Sequence, residues 1–131
     1  MFMLQNLRYS KDHEWVKITD YVAYVGITNF AQGELGDVVY VEVDTVGQTL
    51  DQGEIFGTIE AVKTVSDLFM PVSGKIIAFN ARLETAPESV NTSPYDTGWI
   101  IQIEISNPGE YEILMSFDEY KTHIGRGQQE C

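Results

Sequence analysis

The sequence predicts a mainly β domain, a sandwich or flattened barrel of short strands with short helices at its margins. Apolar stretches rich in β-branched residues are separated by turns that glycine, proline, asparagine or aspartate marks. One stretch, Ile101 to Ile105, alternates apolar and polar residues as a half-buried strand does. With 131 residues and 44% hydrophobic content, the chain is long enough for one domain with a modest core.

Turn residues, capping residues and apolar spacing predict the individual elements. Strands are predicted over residues 14–18, 21–27, 37–43, 75–79 and 99–106. Helix starts are predicted at Thr28 or Asn29, just after Pro87, at Asn107 and at Ser116. The last of these is a capping box that Glu119 completes, and Gly36 and Gly125 are placed to end helices.

The two ends of the chain are expected to lie outside the packed domain. Residues 1–8 are interpreted as a loose leader and residues 9–125 as a single domain. Residues 126–131 are expected to be a disordered tail, because they follow a helix-closing glycine and carry no apolar pattern.

The segment from Gly57 to Gly74 is predicted to form two strands folded back on each other, with Lys63 at the tip. Apolar and β-branched residues lie on both sides of the lysine, as strands prefer. Pro71 and Gly74 then mark a turn before the next strand. A lysine at such a tip presents an amine that is free of packing and accessible to a modifying enzyme.

The charge balance excludes two classes of partner. Twenty acidic residues against eight basic ones give a net charge of −12. Nucleic acids and anionic membrane surfaces require a basic protein surface, so neither is expected to bind. A negative field instead favours solubility and steers the protein toward basic surfaces on other proteins.

Cysteine usage and the N-terminal residues indicate the compartment. Cys131 is the only cysteine, so an internal disulfide framework is excluded and a reducing setting fits best. The opening Met1 to Gln5 lacks the basic region and length of a signal peptide, and no apolar run approaches a membrane span. We therefore expect a cytoplasmic protein, although a processed organellar protein would look the same.

The pattern of polar residues does not predict an enzyme. There is no nucleophile–base pair, no cluster with metal-ligand spacing and no phosphate-binding glycine loop. His13 and His123 are the only histidines, and neither has a suitable partner in the sequence. His13 is therefore interpreted as structural, and no catalytic residue and no metal site are predicted.

The lysine segment also carries a family resemblance. Glu60-Ala61-Val62-Lys63, followed by Ser66-Asp67 and Pro71-Val72-Ser73-Gly74, resembles the lipoyl-lysine hairpin of the glycine cleavage system H protein family. Further similar segments are His13-Glu14-Trp15, Gly26-Ile27-Thr28, Ala31 through Asp37, and Asn91 through Trp99. They cover about residues 9 to 124 in the family's order, so the resemblance does not depend on one short motif.

The resemblance implies a barrel-sandwich hybrid fold of the lipoyl and biotinyl carrier type, with an added C-terminal helix. It implies lipoic acid attached covalently to Lys63 by a lipoyl-attaching enzyme, on a carrier that is not itself an enzyme. Such a carrier takes an aminomethyl group from a pyridoxal-phosphate glycine decarboxylase to a tetrahydrofolate-dependent aminomethyltransferase. Dihydrolipoyl dehydrogenase then reoxidises the arm. Glu60 and Asp67 flank the lysine, and they either mark it for attachment by charge or only keep the tip solvated.

Other interpretations of the lysine remain open. Lipoyl domains of 2-oxoacid dehydrogenases typically read Asp-Lys-Ala and biotin carriers Met-Lys-Met, whereas Val62 and Thr64 flank the lysine of this chain. An H-like protein that only relays lipoyl groups would carry the same hairpin. An unmodified interaction domain is the third alternative, and it predicts that Lys63→Arg behaves like the wild type.

Overall fold

The computed structural model describes residues 4–125, most of which lie in or between two antiparallel β-sheets. The strands are β1 Arg8–Tyr9, β2 Glu14–Thr19, β3 Val22–Ile27, β4 Val38–Glu42, β5 Thr49–Leu50, β6 Ile55–Ala61, β7 Val65–Phe69, β8 Gly74–Phe79 and β9 Ile101–Ile105. The helices are α1 Asn29–Leu35, α2 Arg82–Thr85, α3 Ser89–Thr92, α4 Pro108–Glu112 and α5 Phe117–His123, preceded by a 3₁₀ turn over Leu4–Asn6. No helix in this part of the chain is long and apolar enough to cross a membrane.

The two sheets enclose the main core. One has six strands in the order β1-β2-β3-β9-β8-β5, and the other has three in the order β4-β6-β7. Buried residues from both sheets meet between them, among them Val25, Val41, Ile59, Ile76 and Ile103. Each face turned inward is apolar, so burial of both faces removes a large apolar area from water. The predicted mainly β sandwich is confirmed.

Most of the predicted strand boundaries are confirmed to within one residue. The exception is the strand predicted over 99–106, which begins only at Ile101. The Ile100 N–H still donates to Val25 O of β3 at 2.7 Å, but the backbone groups of Trp99 are committed elsewhere: its N–H donates to Asp96 O, and its carbonyl accepts from Asn80 Nδ2 at 2.7 Å. A turn and a side chain therefore take the backbone groups that a longer strand would need.

The predicted loose leader is corrected for residues 4–8. The Tyr9 hydroxyl donates to Leu4 O at 2.7 Å, Leu7 is only 2% exposed, and Arg8–Tyr9 pairs with β2. A two-residue strand has no periodicity, so sequence patterning could not show that this segment packs. Residues 1–3 and the predicted tail over 126–131 lie outside the described residues.

A second, smaller core holds helix α5 against the six-stranded sheet. It consists of Leu7, Tyr9, Trp15 and Tyr120, and the rings of Tyr9 and Tyr120 stack with centroids 4.8 Å apart. Trp15 lies across its strand partner Gly26, where an added Cβ would come within 2.7 Å of the indole. The tryptophan thus fills the space that the missing side chain leaves. The predicted capping box at Ser116 and Glu119 starts α5 as expected.

Candidate functional site

Lys63 lies at the tip of the hairpin that β6 and β7 form, as the sequence predicts. The strands pair up to Glu60 and Val65, and the Ala61 N–H donates to Thr64 O at 2.8 Å to close the turn. Lys63 is exposed, and among residues 4–125 no hydrogen bond or ion pair engages its amine. The amine is therefore open to reaction.

The tip rests on the segment between α1 and β4. The Val62 N–H donates to Asp37 O at 3.0 Å, which ties the turn to this segment. A Cβ added at Gly36 would lie 3.3 Å from Lys63 Cε and 3.8 Å from Nζ, so the lysine stem runs directly over the glycine. Gly36 also has a φ of +83°, a conformation that glycine adopts readily and other residues do not. The sequence predicts Gly36 as a helix stop within a segment that resembles the family, and it does not show that the residue lies under the lysine.

A cavity of about 290 Å³ lies beside the lysine. Its walls come from the β1–β2 turn, the end of β3, α1 and β7, through Asp12, His13, Ile27, Phe30, Ala31, Glu34, Leu35 and Ser66. Leu35 immediately precedes Gly36, over which the lysine stem runs, and Ser66 lies in β7 just after the hairpin tip, so the cavity lies close to the tip although the lysine itself does not line it. Its size is near the lower limit of about 300 Å³ for small-molecule pockets, and its walls combine apolar and polar groups as such pockets do.

His13 forms part of the cavity wall, and a hydrogen-bond network fixes its ring. His13 Nδ1 lies 2.8 Å from the Tyr120 hydroxyl, which in turn lies 2.7 Å from Thr28 Oγ1. Burial lowers the pKa of His13 below its ordinary value, and the nearby His123 lowers it further. The residue also has a φ of +71°, a backbone conformation that the sequence did not indicate. The structural role predicted for His13 therefore includes shaping the cavity.

Glu14 is a buried acid next to this wall. Its side chain accepts hydrogen bonds from Ser10 Oγ at 2.7 Å and from the Phe69 N–H at 3.2 Å, which joins β2 to β7. Burial raises the pKa of Glu14 to about 8, although the two hydrogen bonds oppose the shift. The sequence predicts Glu14 as the start of a strand and as part of a segment similar to the family, but nothing in a single sequence shows that its carboxyl is buried.

The two acids that flank the lysine in sequence share the outer face of the three-stranded sheet. Glu60 pairs with Val65 and Thr58 with Asp67, and alternate rows of a sheet point to the same side. Glu60 and Asp67 are both exposed. The lysine tip therefore stands at the end of a negatively charged face.

Two further features of the described part of the chain narrow the choice of site. A larger cavity of about 460 Å³ is lined mainly by residues of the β1–β2 turn and the α4–α5 connection, and none of its lining residues lies in β6, in β7 or in α1, the elements next to the lysine. No group of three or more histidine, cysteine or acidic side chains lies close enough together to hold a metal ion. The lysine tip and its adjacent cavity are therefore the candidate site.

Comparisons with known proteins assign the chain to a family. The family model for the glycine cleavage H-protein matches residues 7–126. The glycine cleavage system H proteins of Brevibacillus brevis and Staphylococcus epidermidis are 52% and 50% identical over 120 and 125 residues, which cover 92% and 95% of this chain and 95% and 99% of theirs. The crystal structure of a glycine cleavage system H protein from Mycobacterium marinum superposes with a TM-score of 0.86 at 35% identity, covering 95% of this chain and all of that one. This match extends the sandwich to the predicted barrel-sandwich fold, and the chain belongs to the glycine cleavage H-protein family.

Proposed function

We propose that this protein is the lipoyl-bearing carrier of the glycine cleavage system, with lipoic acid on Lys63. The observation that carries the proposal is an exposed lysine without a side-chain partner, held at a hairpin tip beside a small cavity. Family membership supports this interpretation of the exposed lysine, because the relatives are named as glycine cleavage system H proteins. The carrier itself is non-catalytic, and its contribution is to hold and present the arm.

The residues present fit a lipoyl group. An amide bond to Lys63 Nζ requires an accessible amine, and the tip provides one. When attached, the group supplies a dithiolane that accepts an aminomethyl group and electrons. The chain contributes a rigid starting point at Gly36 and a partly apolar cavity next to it, formed in part by Phe30, Ala31 and Leu35. Such a cavity can shield a short apolar arm from water.

The proposed partners are those the family implies. They are glycine decarboxylase, the aminomethyltransferase, dihydrolipoyl dehydrogenase and a lipoyl-attaching enzyme. The acidic face around Glu60 and Asp67 suits basic docking surfaces on these enzymes. We place the protein in the cytoplasm, because the relatives named above are bacterial and Cys131 has no second cysteine to pair with.

Incubation of the purified chain with lipoate ligase, ATP and lipoate tests the proposal. Intact mass and peptide mapping should show one lipoyl group, on Lys63. Lys63→Arg should keep the fold, because a tip side chain packs little, and should remain unmodified. Lys75→Arg is the matched control: Lys75 is also an exposed lysine on the sheet scaffold, and its replacement should leave lipoylation of Lys63 unchanged.

Other results would redirect or overturn the assignment. A lysine that stays unmodified in the wild type would contradict the carrier role and favour the interaction-domain alternative. A biotinyl group on Lys63 in protein from its native host would indicate a carboxylase carrier. A lipoylated chain that does not support glycine cleavage when combined with the other components would favour the lipoyl-relay alternative.

A further inference from the structure

We infer that Asn91, from α3, is a positioning residue that sets the direction of the Lys63 side chain by holding Gly36 beneath it. The inference rests on the proposed carrier function and adds a residue distant in sequence from the lysine hairpin. Nothing in the sequence of the hairpin points to it.

The Asn91 side chain joins three parts of the support under the lysine. Its Oδ1 accepts from the Val38 N–H at 2.9 Å, at the start of β4. Its Nδ2 donates to Gly36 O at 2.9 Å, just after α1, and to Gln32 Oε1 at 2.8 Å, within α1. One amide therefore fixes the backbone on both sides of Asp37, the residue whose carbonyl accepts from Val62.

These contacts connect Asn91 to the lysine in two ways. The Asp37 carbonyl, whose neighbours Asn91 fixes, anchors the hairpin tip through Val62. The Lys63 stem runs over Gly36, and Asn91 donates to the carbonyl of that residue. A rotation of the Gly36 peptide would change both the height of the tip and the course of the stem. The amide of Asn91 prevents that rotation.

The direction of the stem matters for the attachment reaction. Lys63 Nζ must attack the carbonyl carbon of an activated lipoyl group, so that the new C–N bond forms while the C–O bond to AMP breaks and the released proton passes to solvent. Reactivity in a bound complex falls steeply when the attacking atom is displaced by about 1 Å. A support that sets the course of the Lys63 stem over Gly36 therefore acts on the turnover step. It leaves the exposed acidic face around Glu60 and Asp67 unchanged.

Asn91→Asp tests the inference with the smallest change of shape. The variant keeps an oxygen for the Val38 N–H but replaces the donor to Gly36 O and Gln32 Oε1 with a carboxylate oxygen, which repels both. We expect kcat for lipoylation by a lipoate ligase to fall about tenfold with little change in KM. In the unmodified protein, the nuclear Overhauser contact between the Lys63 Hε and Gly36 Hα protons should be lost.

Asn80→Asp is the matched control. Asn80 is an equally bridging amide, which donates to Thr97 O and Trp99 O and accepts from the Arg82 N–H, and none of these partners touches the lysine tip. It should lower the melting temperature by an amount similar to Asn91→Asp but leave kcat and the Lys63–Gly36 contact at wild-type values. Equal losses of kcat in both variants would reduce Asn91 to a stabilising residue and overturn the inference.

Gly36→Ala is a second test, which changes the glycine under the lysine instead of the asparagine that holds it. The added Cβ would lie 3.3 Å from Lys63 Cε, and alanine is strained at the φ of +83°, so both the stem and the Gly36 peptide that Asn91 holds should shift. We expect kcat to fall again while KM stays. Wild-type kcat in both Asn91→Asp and Gly36→Ala would overturn the inference while leaving the carrier function intact. A wild-type chain that is never lipoylated would instead contradict the carrier function, and the nuclear Overhauser contact would still report on the role of Asn91.

Discussion

Glu14 is the residue at which the fold depends most clearly on pH. Its side chain is only 2% exposed, and burial raises its pKa from 4.5 to about 8. Between these values the folded chain retains a proton that the unfolded chain releases. The contribution of Glu14 to the free energy of unfolding is therefore full below about pH 4.5 and is lost as the pH rises through about 8.

Replacement of Glu14 by glutamine should remove this dependence. A glutamine mimics the protonated acid, because its amide can donate to Ser10 Oγ while its oxygen accepts from the Phe69 N–H. Across the window between the two pKa values, the free energy of unfolding of the wild type should fall relative to the variant by about 1.4 kcal/mol per pH unit. Urea denaturation of both proteins at about pH 6 and pH 7.5 measures the difference, expected near 2 kcal/mol. Parallel pH profiles would show that Glu14 ionises normally in the folded state.

At the scale of the element, helix α5 depends on its N-terminal cap. Ser116 Oγ accepts from the Glu119 N–H, and Glu119 Oε1 accepts from the Ser116 N–H at 2.8 Å. The helix has only seven residues, so it is stable mainly through this box and through Tyr120 in the second core. The same helix brings the Tyr120 hydroxyl to His13 in the cavity wall.

Ser116→Ala should therefore lower the free energy of unfolding by about 1 kcal/mol, the usual cost of losing an N-cap side chain. Ser106→Ala is the control, because Ser106 is exposed and its side chain has no hydrogen bond among the described residues. Chemical denaturation of the two variants gives the comparison. If both change stability equally, α5 does not rely on its capping box.

The elements that the sequence predicted well are those with a local chemical signal. The alternation in Ile101–Ile105 and the capping box at Ser116 each lie within a few residues, so each could be interpreted alone. The short strand Thr49–Leu50 has too few residues for any pattern, and it forms only because β8 lies beside it. Long-range contacts decide such elements, and a single sequence does not contain those contacts in readable form.

In the candidate site, too, local features could be predicted from the sequence and long-range contacts could not. Lys63 could be identified because its hairpin is local and resembles a known family. The course of the Lys63 stem over Gly36 and the hydrogen bonds of Asn91 join residues that lie between 27 and 59 positions apart, and no spacing rule connects them. The burial of Glu14 could not be predicted either, because it is a property of the packed sheets rather than of the residues next to Glu14 in sequence.

At the scale of the whole molecule, the net charge of −12 acts differently at short and long range. In about 0.15 M salt the Debye length is about 8 Å, so a docking partner senses only the acids near the contact. Glu42 and Asp67 flank Thr58 in one row of the outer face of the three-stranded sheet, the face at whose end Lys63 stands. Asp20 lies in the turn between β2 and β3, and Glu104 lies in β9, so both are carried by the six-stranded sheet rather than by the face beside Lys63.

We therefore expect two pairs of neutral substitutions to differ with ionic strength. Glu42→Gln with Asp67→Asn should lower kcat/KM for lipoylation by roughly threefold or more at about 0.15 M salt, because local steering survives screening. Asp20→Asn with Glu104→Gln removes the same charge and should matter only at low salt, about 0.01 M, where the Debye length is about 30 Å. Steady-state lipoylation kinetics at the two salt concentrations separate the cases. Equal effects of the two pairs at the higher salt would mean that overall charge, rather than the face beside Lys63, guides the attaching enzyme.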